Sequence, residues 1–171
     1  MIKLMKLATF FAALTFQSFA LAQSLWGTTE YGMSVSQVQS LYPNATAPAE
    51  VSTLYGGVKG LLTIPGIEIV NNQFTAIFYF KDEKLVQVTL KRDNYASLSS
   101  ALPDFKEITT ALRAKYGQEV SSGVERSLSQ ATANWLSGKT NITLFAHAMG
   151  GSNATLSINY QVRIAKDADK L

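Results

Sequence analysis

The sequence predicts an α+β fold of two successive helix-plus-antiparallel-strands units, with the helices packed on one face of a meandering sheet. Three observations predict it. Two segments carry apolar residues at helical spacing, and each is followed by several short runs that alternate apolar and polar. The runs are joined by short turn sequences, which pair neighbouring strands antiparallel. The order helix, strands occurs twice, over 25–95 and 96–164, as a pseudo-repeat of elements rather than of letters.

The first helix opens in "YGMSVSQVQSLYP". Ser34 is a good N-cap, and Gln37 three residues on completes a capping box. Val35, Val38, Leu41 and Tyr42 form one stripe, and Pro43 ends the helix. Gly32 supplies the turn into it, and Met33 packs ahead of the cap. The stretch 44–60, with Pro48 and Gly56-Gly57, reads as a loop. Strands are expected over 61–64, 67–70, 74–80 and 85–91, with turns at Asn71-Asn72 and at "KDEK".

The second helix is expected in "LPDFKEITTALRAKYG". Phe105, Ile108, Leu112 and Tyr116 make its apolar stripe, Pro103 suits a first turn, and Gly117 suits the C-terminal cap. "QEVSSGVERSLSQ" carries no clear pattern. "ATANWL", "NITLFAH" and "ATLSINYQV" read as strands with one buried face.

The chain ends bound the compartment. Lys3 and Lys6, an apolar run to Phe19 and the small-x-small Ala20-Leu21-Ala22 make residues 1–22 a signal peptide. The run is shorter than the roughly 20 apolar residues that span a bilayer. Gln23, not cysteine, follows the cut, so no lipid-bearing thiol and no stable membrane anchor are expected. The mature chain is then 149 of the 171 residues, with 23–164 as a single α+β domain and 165–171 as a disordered tail. Export to the periplasm of a Gram-negative cell, or secretion, is the expected localisation.

Composition removes several chemistries. The chain has no cysteine, which excludes disulfides, thiol nucleophiles and thiolate metal sites. Removing Lys3 and Lys6 reduces the net charge from +3 to +1, so no nucleic-acid partner is indicated. His147 is the one histidine, which rules out paired imidazole ligands. "YGGVKG" lacks the spacing of a phosphate loop. Ser152 in "MGGSN" follows two glycines that a hairpin turn explains. Asn44, Asn141 and Asn153 each begin an N-glycosylation pattern, relevant only in a eukaryotic route. No cofactor is indicated. Twelve acids spread along the chain single out no pair for a carboxylate hydrolase, which stands as the least favoured reading.

"GMSVSQVQSLYP", through Gly32, Met33, Ser34, Val38 and Leu41, resembles the helix opening of small bacterial envelope modules. These are the SmpA/OmlA-like and, more distantly, the beta-lactamase-inhibitor-protein-like fold group. The resemblance implies a short helix ahead of an antiparallel sheet and a role in binding. The lipobox cysteine of the former and the disulfides of the latter are missing, and no site residue carries over.

The function expected is non-enzymatic: an exported module that binds a protein or envelope component, or alternatively carries or senses a small apolar ligand. The aromatics supply the candidate binding surface: Phe74, Phe78, Phe80, Tyr55 and Trp135. Phe74 to Phe80 is apolar on both faces, so it requires cover on both sides, from a helix on one and from the 47–60 loop or a partner on the other. N-terminal sequencing of the protein from a periplasmic fraction is expected to begin at Gln23; a first residue of Met1 would show that the leader is retained.

Overall fold

A computed structural model describes residues 24–148 and 153–163. The predicted signal peptide, the C-terminal tail and Ser152 in its glycine turn lie outside the described residues. The elements are α1 (Val35–Leu41), β1 (Thr53–Leu54), β2 (Val58–Ile69), β3 (Asn72–Lys81), β4 (Lys84–Tyr95), α2 (Leu98–Tyr116), β5 (Ser121–Glu125), β6 (Gln130–Ser137), β7 (Thr140–Ala148) and β8 (Ala154–Val162).

The expected fold class is corrected. The chain does not build two helix-plus-strand units stacked on a sheet. It builds one curled, half-barrel antiparallel sheet of eight strands in the order β1-β2-β3-β4-β8-β7-β6-β5, accompanied by two helices. Strand outweighs helix, 51% to 19%, so the fold is mostly β. The physical reason is the second edge of β4. Its backbone groups need partners, and β8 supplies them in register from Gln87↔Gln161 to Tyr95↔Ala154. The later meander therefore runs back outward, leaving β5 at the far edge.

Local signals explain most elements. Ser34 and Gln37 form the expected reciprocal capping box. The β2–β3 and β3–β4 turns each use two residues in the left-handed region, Val70 with Asn71 and Asp82 with Glu83, the twist that suits a two-residue connection. The strands expected at 61–64 and 67–70 are one strand, β2, bulged between Ile64 and Ile67 so that Pro65 and Gly66 need no ladder partner. The second helix starts four residues before the expected stretch, at Leu98 rather than Leu102, because Ser97 and Ser100 make their own capping box. Pro103 is consequently inside α2 rather than in its first turn. The unpatterned segment holds β5, whose five residues are all exposed.

The inner face of the sheet carries the core. Leu62, Ile64, Phe74, Phe78, Leu85, Val88, Leu90, Leu156, Ile158, Ile142, Leu144 and Trp135 are buried there in one cluster. A bulge in β4 keeps Leu85 and Val88 on the same face although they are three apart, since Phe80 pairs with Leu85 and Tyr79 with Gln87. A second irregularity between Arg92 and Tyr95, with Asn94 in the left-handed region, turns Tyr95 inward.

Two covers share this face. α2 lies over β6, β7 and β8 through Ala101, Phe105, Ile108, Thr109 and Leu112. It is tied to β4 where Asp104 accepts from Arg92 at 2.8 Å and from the Tyr95 hydroxyl at 2.7 Å. The other cover is not chiefly a helix. α1 buries only Val38, and the segment 24–33 does most of the covering. Thr140 donates to the Ser24 carbonyl at 2.7 Å, Gly32 N–H donates to the Leu85 carbonyl, and Leu85 N–H donates to the Met33 carbonyl, each at 2.8 Å. The segment is thus strapped from β7 to β4. Trp26 stacks on Tyr42 at 5.8 Å, and both rings lie against Phe78. Gly27 allows this: it has positive φ, and a Cβ there would overlap the Tyr42 hydroxyl.

β3 receives its second cover from the chain itself. Tyr79 lies on the outer face yet is only 5% exposed, because the Ser52 hydroxyl reaches its phenol at 3.0 Å. Gly60 makes the space. A Cβ there would stand 2.8 Å from Ser52 Oγ and 2.9 Å from Ile77 Cγ2.

Two stability outcomes follow from these contacts. Gly60→Ala overpacks the Ser52–Tyr79 contact and is expected to cost about 1–3 kcal/mol in denaturant unfolding. Trp135→Ala, at 1% exposure, is expected to cost about 3–5 kcal/mol.

Candidate functional site: a cleft between the two covers

The covers do not meet at the end of the sheet that holds the β6–β7 turn. Between them lies a cleft of about 640 Å³, within the range of roughly 300–1,000 Å³ typical of small-molecule sites. Three segments distant in sequence form it. The strap contributes Ser24, Leu25 and Gly27, the end of α2 contributes Lys115 and Tyr116, and the β6–β7 hairpin contributes Ser137, Gly138, Lys139, Thr140 and Ile142.

Each wall has a local cause. Gly138, with φ of 60°, is the first residue of the two-residue turn between the Ser137↔Thr140 pair, the place where a II′ turn demands glycine. The hairpin is held at its tip because Arg163 N–H donates to the Lys139 carbonyl at 2.7 Å. α2 stops at Gly117, whose N–H bonds the Arg113 carbonyl and whose own carbonyl accepts from Trp135 Nε1 at 3.0 Å. Leu25 and Ile142 are core side chains that end at the cleft, giving it an apolar base.

The charges at the cleft have one sign. Among the described residues, Lys115 and Lys139 are the ionised side chains that line it. Among the described residues neither is paired with a carboxylate; the ion pairs there are Lys91–Asp93, Arg92–Asp104 and Arg113–Glu119. Lys115 Nζ instead lies over the Tyr116 ring, 5.1 Å from its centre. Behind this wall Tyr160, beside Ile142 in the sheet, has its phenol held well above the usual range, first by burial and then by the neighbouring Tyr116 hydroxyl.

The predicted site residues fall elsewhere. Phe74, Phe78, Phe80 and Trp135 are core side chains of the inner face, each at most 2% exposed. They offer no surface to a partner, because the strap and α1 close over β3 and α2 closes over β6. Tyr55 is fully exposed at the tip of the β1–β2 hairpin. None of the five lines the cleft. His147 is half-buried on the outer face, stacked on Phe145 at 4.9 Å, and its Nδ1 is buried without a hydrogen-bond partner among the described residues. Sequence reasoning missed Lys115 and Lys139, which look like ordinary surface lysines until α2 and the hairpin are brought together.

The opposite face of the sheet carries no helix among the described residues. Its side chains are largely polar and bonded to one another: Gln87 donates to Thr89, Thr89 to Asn159 and Thr143 to Asn134 at 2.8–2.9 Å. Fold and site together define a curled antiparallel-sheet protein with a cleft between its two inner-face covers. Comparison with protein-family models, curated proteins and solved structures finds no match to this chain.

Titration separates the supports of the site. Tyr95 is pushed up to about 12, by burial first and by Asp104 second. Its folded value exceeds its unfolded value of about 10, so the stability it confers is whole below pH 10 and is lost as pH rises through 12. Ultraviolet titration is expected to show Tyr95 and Tyr160 ionising after the exposed phenols. In Tyr116→Phe, Tyr160 still ionises late, since burial is the larger cause. Glu119 is lowered to about 2 by its bidentate bond to Arg113. Its contribution is present above the ordinary carboxylate range and lost as pH falls toward 2. In an acid-unfolding series, Glu119→Gln is expected to shift the midpoint to higher pH.

Proposed function

We propose that the chain is a non-enzymatic, exported binding module that holds a small, partly apolar molecule in the cleft between α2 and the strap. The cleft carries this reading. Its volume suits such a ligand, its base is apolar, and its walls are fixed by backbone hydrogen bonds together with the buried Thr140 and Trp135 side chains. The leader read in residues 1–22 supports export, and the envelope-module resemblance of residues 32–41 supports a binding role.

A second reading is a docking site for an envelope protein, favoured by Tyr55. A tyrosine fully exposed on a short hairpin, beside exposed Val51, is the type of side chain that anchors protein interfaces.

Native mass spectrometry of the protein purified from its own host separates the two. A bound mass of a few hundred daltons, lost in Ile142→Trp, is the outcome expected for the cleft. A clean apo mass, together with a protein complex abolished by Tyr55→Ala, would replace the first reading with the second.

A further inference from the structure

We infer that the cleft selects an amphipathic anion: a carboxylate, sulfonate or phosphate head set between Lys115 and Lys139, with an apolar body against Leu25 and Ile142. The inference rests on the cleft being a ligand site and adds the charge of its ligand. Both lysines line one concave space, and among the described residues no carboxylate lines it with them. Two like charges facing one cleft repel each other, and an anion between them removes that repulsion. A cationic ligand would add a third like charge, and a neutral one would leave the two uncompensated.

The competing partners for these lysines are already engaged or weak. Lys115 stands in the last turn of α2, where free carbonyls attract cations. Capping uses part of that end, because Gly117 N–H occupies the Arg113 carbonyl, and Trp135 takes the Gly117 carbonyl just beyond it. The nearest acid on this stretch, Glu119, is held by Arg113. Lys115 rests on the Tyr116 ring, and both residues line the cleft. The Lys139 backbone is fixed by the turn and by Arg163, so its side chain stems from a rigid point. Ser137 lines the same space. Head and body are thus recognised by opposite parts of the cleft, which sets the ligand's orientation.

The test uses three probes of one chain length on the purified protein: octanoate, octanol and octyltrimethylammonium, followed by calorimetry. Octanoate is expected to bind about tenfold more tightly than octanol, which corresponds to about 1.4 kcal/mol, and octyltrimethylammonium more weakly than either. Added salt is expected to erase the octanoate advantage and leave octanol unchanged. Lys115→Gln with Lys139→Gln replaces two exposed side chains and is expected to equalise octanoate and octanol without moving the melting temperature. Octyl phosphate in place of octanoate then distinguishes a phosphate-preferring from a carboxylate-preferring head. Equal binding of octanoate and octanol to the unaltered protein overturns the charge selection and leaves the cleft reading standing. Binding of none of the probes, or binding untouched by Ile142→Trp, overturns both.

Discussion

The antiparallel pairing of β4 with β8 is the contact on which the rest of the structure depends. Without it each meander would end in an open strand edge, with unpaired amide and carbonyl groups along β4 and β8. With it the two meanders become one sheet, curled enough that a single inner face must be covered from β2 round to β6. No single helix can do that. α2 covers the later strands, and the strap, pinned at Thr140 and at Leu85, covers the earlier ones. The cleft is the space that two separate covers leave on one continuous sheet.

This origin gives the site its character. Its base is core, because Leu25 and Ile142 belong to the same buried cluster as Trp135 and Phe78. Its rim is solvent-facing, because α2 and the β6–β7 hairpin both end there. An apolar base and a cationic rim thus follow from position. The strap makes the site sensitive to the first meander as well. Trp26, Tyr42 and Phe78 stack in one group, and Gly27, which lines the cleft, is where that group presses closest. A side chain at Gly27 would disturb core and cleft together.

Much of the local structure was legible, and each success has a short-range cause. The Ser34–Gln37 box, the Phe105–Leu112 stripe, the turn at Asp82-Glu83 and the turn expected at Asn71-Asn72, which lies one residue earlier at Val70-Asn71, rest on residues within a few positions of one another. The errors have causes of another kind. β2 was split because Pro65-Gly66 reads as a break, whereas a bulge carries it. α2 began early because serines are weak helix signals until two of them cap each other. Phe74, Phe78, Phe80 and Trp135 read from the sequence as core residues that could also offer a binding surface, because aromatic content does not reveal what lies above it; the structure buries them. The cover of β3 was half-anticipated: the 47–60 stretch does reach over, but through one serine and one missing Cβ rather than as a lid.

Element order, turn positions, caps and the absence of thiol chemistry were decided by the sequence alone, because each depends on residue type or on neighbours along the chain. Which strand edges meet, and so which residues share the cleft, was decided only by the tertiary structure. Ser24, Lys115 and Lys139 are brought together by a sheet whose order is set by β4 finding β8, a pairing of residues some 60 to 74 positions apart. Pairing over such distances reflects the collective burial of one face and the need to satisfy one edge. Neither leaves a mark at any single position.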